Sequence, residues 1–112
     1  MDKYLGMLGL AKKAGALLVG IDMVLDGVRN SKTKVVVVAS DASENTLKQI
    51  KDKCVFYKAE YDIPGCTRAE LGAALGRSET SAVAITDKNF YDGYKKACGN
   101  VAHDNKSSAD RT

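Results

Sequence analysis

Asp41 and Asp87 are the residues that most invite a chemical reading. Each follows an apolar run, Val35-Val36-Val37-Val38-Ala39-Ser40 in one case and Ala82-Val83-Ala84-Ile85-Thr86 in the other. Carboxylates beyond the carboxyl ends of strands stand where ligands collect in α/β sheets. Two such groups could share a metal ion, but the simpler role for each is to cap the helix that follows. The three cysteines, Cys54, Cys66 and Cys98, are odd in number and show no CxxC spacing. That argues against a zinc site or a disulfide framework and for reduced thiols. The single histidine, His103, falls in a polar C-terminal stretch and has no cysteine partner in a structured segment. The GxxxxGK[ST] phosphate loop, the GxGxxG fingerprint and HExxH are absent. With no grouping of nucleophile, base and orienting residue, the chain reads as a non-enzyme needing no metal or cofactor.

Charge offers a different chemistry. Residues 1–58 carry ten Lys and Arg against six Asp and Glu, whereas residues 59–112 carry seven against eight. A basic first half suits a polyanionic partner, although a solvated surface gives the same bias. The 112 residues, 45% hydrophobic and 28% charged, describe one soluble globular domain. No apolar run approaches the roughly 18 residues of a membrane span. The opening Met1-Asp2-Lys3-Tyr4 lacks a signal-peptide layout. A cytoplasmic protein is the expectation.

The elements that would position these groups follow from periodicity. Val35 to Val38 are four β-branched residues without alternation, which predicts a central strand covered on both faces. Tyr4, Leu5, Leu8, Ala11 and Ala14 recur at helical spacing, with Asp2 placed to cap the start and Gly15 to close the end. A short strand over residues 16–20 leads to a second helix opened by Gly20-Ile21-Asp22, with Ile21, Val24, Leu25 and Val28 facing inward. A helix start behind a glycine exposes N–H groups that suit an anion, a use that Asp22 and Asp26 oppose. Leu47, Ile50, Val55 and Cys54 mark the stripe of a third helix, and Tyr61-Asp62-Ile63 a short strand. After the Pro64-Gly65 turn, Thr67 and Glu70 form a capping box for a fourth helix that ends at Gly76. A polar loop over 77–80 leads to a last strand over 81–86 and a final helix carrying Phe90, Tyr91 and Tyr94. Residues 1–98 are then one folded domain and 99–112 a disordered polar tail. Alternating helices and short strands predict an α/β/α sandwich.

Three stretches carry a resemblance: Leu8-Gly9-Leu10-Ala11-Lys12-Lys13-Ala14-Gly15, Val38-Ala39-Ser40-Asp41-Ala42-Ser43-Glu44-Asn45-Thr46, and Leu71-Gly72-Ala73-Ala74-Leu75-Gly76-Arg77. With Cys54 and Ala84-Ile85-Thr86-Asp87, they resemble the bacterial branch of the kink-turn RNA-binding ribosomal proteins, the L-seven-Ae and L-thirty-e type. The likeness runs from about Leu5 to Phe90. It implies a three-layer α/β/α sandwich around a mixed four-stranded sheet, and binding of kinked RNA, often in the ribosome, without catalysis. In that family the start of the second helix and the loop before the last strand grip RNA. The helix motif Gly-x-Asn-Glu-x-x-Lys falls on Gly20 to Asp26, with Asp22, Met23 and Asp26 in place of Asn, Glu and Lys. Arg68 matches a basic position of the family. The resemblance and the charges together give an expected RNA face of Gly20, Asp22, Met23, Asp26, Arg29, Lys32, Lys34, Arg68, Arg77, Ser78, Glu79 and Thr80. The substitutions imply a weakened or altered kink-turn grip on a ribosome-associated, monomeric protein. The alternative is a protein-interaction module that kept the scaffold and lost the RNA.

Overall fold

The valine run forms a strand, β2 (Val35–Val38), whose four side chains are fully buried. The computed structural model describes residues 2–99; the expected polar tail beyond Gly99, with His103, lies outside them. The other strands are β1 (Leu17–Val19), β3 (Tyr61–Asp62) and β4 (Ala82–Ile85). Their order is β1-β4-β2-β3, with β4 antiparallel to both neighbours and β3 parallel to β2. This is the expected mixed four-stranded sheet. β2 and β4 are internal, which is why neither alternates.

Five helices cover the sheet: α1 (Lys3–Lys13), α2 (Ile21–Arg29), α3 (Glu44–Tyr57), α4 (Arg68–Ala74) and α5 (Lys88–Cys98). Strand alternation divides the core in two. Val35, Val37, Val83 and Ile85 pack with Tyr4, Leu8, Leu71 and Tyr94 from α1, α4 and α5. Val36, Val38, Ala82 and Ala84 pack with Val24, Val28, Ile50 and Cys54 from α2 and α3. The result is an α/β/α sandwich. Val55 is not part of the α3 stripe: it is exposed, and the inward positions are Ile50 and Cys54.

One polar contact lies inside the first core. Tyr94 Oη donates to Asp62 Oδ2 at 2.7 Å, and the Tyr94 ring meets that of Tyr4 edge to face at 6.0 Å. The contact ties α1 and α5 to the edge strand β3. Burial, followed by the adjacent Asp62 carboxylate, holds the Tyr94 hydroxyl well above its ordinary range. Burial also pushes the three free thiols, Cys54, Cys66 and Cys98, up to about 11, so they are protonated packing groups at neutral pH.

The C-terminal ends of α1 to α4 are closed by one recurring device. In α1, Ala16 N donates to Ala11 O and Gly15 N to Lys12 O, the paired bonds of a Schellman motif with Gly15 left-handed. α4 ends the same way at Gly76. α2 and α3 repeat the bonds with Ser31 (φ 57°) and Lys58 (φ 58°) in the left-handed position.

Candidate nucleic-acid interface

The register of the sheet decides which expected residues meet. Val38 pairs with Ala82 and Val19 with Val83. The carboxyl ends of β1 and β2 and the amino end of β4 therefore share one end of the sheet, called here the first end. α2 begins there directly after β1, and α3 begins there after residues 39–43. The loop 77–80 arrives there on its way into β4. A cleft of about 200 Å³ joins these pieces, lined by Val19, Gly20, Ile21, Arg77, Glu79, Thr80 and Ser81.

Local chemistry shapes each wall. Gly20 sits at φ 100°, a conformation that a residue with a Cβ adopts only under strain. Its N–H bonds Ala82 O at 3.1 Å, which fastens the start of α2 to β4. Asp22 and Met23 are exposed on the first turn of α2, Met23 by 54%. The opposite wall leans on α4. Thr80 N donates to Arg68 O, and Gly72 lies under the loop so closely that a Cβ there would stand 2.8 Å from Glu79 Cα. Thr80 is buried, and among the described residues its hydroxyl has no hydrogen-bond partner. Ser78 and Glu79 are exposed.

Charge at this end is largely matched internally. The Arg68 guanidinium stands 3.6 Å from Asp41 Oδ1 and 3.8 Å from Glu79 Oε1. Asp41 also accepts from the Arg68 backbone N–H at 2.7 Å. Asp41 thus caps α4, across the fold, rather than the helix that follows it; Ser43 caps α3 by accepting from Thr46 N. Asp87 does cap its own helix, α5, through Asn89 N. Asp2 occupies the corresponding position before α1, but its side chain makes no cap bond. Asp41 and Asp87 lie at opposite ends of the sheet, so they cannot hold one metal ion between them. No metal-binding cluster occurs among the described residues.

The twelve expected residues do not form one face. Gly20, Asp22, Met23, Arg68, Arg77, Ser78, Glu79 and Thr80 gather around the first end. Asp26 is in the second turn of α2, where it pairs with Arg29 at 3.3 Å. Arg29 ends α2, and Lys32 and Lys34 follow in the connection to β2. Lys34 N bonds Ile85 O, at the far end of the ladder. At about 3.3 Å per residue, Lys34 and Ala39 are separated by roughly 16 Å along the strand. Sequence order placed these cations near α2 without showing that they belong to its other end. The cleft also holds Val19, Ile21 and Ser81, which the expected face did not include. Behind it stand Gly72 and Asp41, the latter expected from sequence as a cap of the helix that follows it. Gly72 carried a signal, as a glycine inside a helical pattern often marks close backbone approach.

A sequence profile of the Ribosomal protein L7Ae/L30e/S12e/Gadd45 family matches residues 2–94. The chain belongs to this family. Among relatives, it is 46% identical over 90 residues to the RNA-binding protein YlxQ of Enterococcus faecium, covering 80% of this chain and 84% of that one. It is 39% identical over 88 residues to the RNA-binding protein YlxQ of Bacillus subtilis (strain 168), covering 79% and 87%. A solved protein of unknown function from Bacillus halodurans C superposes with a TM-score of 0.81 at 32% identity, covering 88% of this chain and 99% of that one. A solved protein similar to this chain thus shares the sandwich, and relatives similar over most of its length are named for RNA binding. Among the described residues no helix is long and apolar enough to cross a membrane.

Proposed function

We propose that this family member binds structured RNA, ribosomal RNA included, with the first end of its sheet, acting as a cytoplasmic, ribosome-associated monomer without catalysis. The observation that carries the reading is the cleft that joins Gly20 and Ile21 to Arg77, Glu79 and Thr80. The start of α2 and the loop before β4 are the two parts with which such proteins hold RNA, and here they share one cavity. The N–H groups at the start of α2 favour phosphate. Asp22 can accept from a base amino group such as guanine N2 or cytosine N4. Asp26 and Glu79 oppose phosphate, and Glu79 engages Arg68. The kink-turn grip is therefore weakened or altered.

Titration of a labelled kink-turn RNA between about 50 and 200 mM salt tests this. Weak binding that falls steeply with salt is expected, and Glu79→Gln tightens it several-fold by releasing Arg68. Absence of binding at the lowest salt overturns kink-turn recognition. A second reading, the protein-interaction module, draws on the exposed Met23 side chain beside the cleft. Association with ribosomal particles that survives nuclease would favour it.

A further inference from the structure

α2 and α3 run side by side in the same direction, so both finish at the end of the sheet where β2 begins. Between them lies an open groove of about 470 Å³ lined by Leu25, Gln49, Asp52, Lys53, Phe56 and Tyr57. Phe56 is 76% exposed, its ring edge to face with Tyr57 at 4.8 Å. Four lysines share this end. Lys53 lines the groove, Lys58 closes α3, and Lys32 and Lys34 flank Thr33 in the connection from α2 to β2. By strand alternation Lys34 lies on the side of Val36 and Val38, the side that α2 and α3 cover. Among the described residues none of the four has a carboxylate partner. Of the nearby carboxylates, Asp52 is held by Lys48 at 2.8 Å and Glu60 by Lys95 at 2.7 Å.

We propose that this end is a second docking surface, for single-stranded RNA, with an unpaired base stacked on Phe56 and its phosphates along Lys32, Lys34, Lys53 and Lys58. The negative ends of two helix dipoles explain some positive charge here. They do not explain a phenyl ring left in water beside an unpaired lysine. An aromatic platform with flanking cations is how single strands are held without sequence preference, because every base has a face to stack. The surface rests on the RNA-binding reading only in the choice of polyanion. It would hold the strand that leaves the RNA element gripped at the first end.

The chain contains no tryptophan, so Phe56→Trp supplies a single indole reporter. An oligoadenylate of about ten nucleotides, within the usual span of such sites, is titrated at low salt. Saturable quenching of the indole is expected. Adding Lys53→Gln and Lys58→Gln should weaken it at least fivefold and lower the salt slope by about 1.4, at about 0.7 per phosphate contact on a single strand. Absence of quenching overturns the proposal. So does quenching indifferent to the two lysines, particularly if the melting temperature falls, because they would then serve only the helix ends. Quenching by ribosomal particles that persists after RNase digestion, with none by oligoadenylate, would assign the surface to a protein instead. The kink-turn titration reads the other end, so each assignment can fail while the other stands.

Discussion

The two ends of the α2–α3 layer are built from the same helices and carry opposite charges. At the amino ends, Asp22, Asp41, Glu44 and Glu79 surround helix starts. At the carboxyl ends, Lys32, Lys34, Lys53 and Lys58 surround helix finishes. Side chains thus oppose the backbone dipole at both ends, as stability alone would favour. The difference lies in what is already spoken for. Arg68 stands between Asp41 and Glu79, which leaves Arg77 as the loop cation without a carboxylate partner among the described residues. The lysines at the other end have none. The cleft proposed for RNA is flanked by an arginine already paired, while the lysines of the plainer surface keep their charge available. Shape and charge for one ligand class need not sit in the same place.

The largest expected effect comes from Gly72→Ala. The new methyl would meet only backbone, Glu79 Cα at 2.8 Å and Ser78 C at 2.9 Å, so the 77–80 loop must move off α4. A stability loss of about 1–3 kcal/mol is expected on a denaturant curve. Kink-turn affinity should fall with it, while stacking on a tryptophan at position 56 stays constant. Equal loss at both ends would break the independence claimed for them.

Asp26→Lys tests the balance at the first end more gently. It removes one repulsive charge and adds an attractive one, so the salt slope should steepen by about 1 to 2 units. Each added phosphate contact corresponds to about eightfold in affinity near 0.1 M salt. The exposed Asp26–Arg29 pair is lost, and stability should stay within roughly ±0.5 kcal/mol. Unchanged affinity and slope in an intact fold would mean that α2 does not face RNA.

Ser31→Gly is the smallest effect and belongs to the second end. A serine at φ 57° carries strain that glycine does not, and relief should stabilise by about 0.5 kcal/mol after the entropic cost of the glycine. The melting temperature should rise while the kink-turn salt slope stays fixed. A changed slope would show that the two ends communicate through α2.

Much of this architecture was legible because it is local. The valine run, the Thr67–Glu70 capping box, Gly15, Gly76 and the Asp87 cap each depend on residues within a few positions. What failed was distant or degenerate. Asp41 caps a helix that starts 27 residues later, a relation that no window contains. Cys54 and Val55 are adjacent and both apolar, so composition could not say which one faces in. Ser31 and Lys58 occupy left-handed positions without the glycine that would announce them. Above all, β4 lies between β1 and β2. Sequence order could bring Gly20, Arg68 and the 77–80 loop together only through the family resemblance. Nothing local revealed that Lys32 and Lys34 stand at the other end.

The contact between Tyr94 and Asp62 has a consequence for how the chain is made. α1 packs on α5, the last helix described, and Tyr94 is the residue that meets both Tyr4 and Asp62. Synthesis proceeds at about 5–20 residues per second, so several seconds separate the two helices. Throughout that interval Tyr4, Leu5 and Leu8 lack the part of their cover that α5 supplies, and Asp62 lacks its phenolic donor. The nascent chain cannot lay down its core in the order it is translated. The α1 side of the sandwich is completed only when α5 arrives.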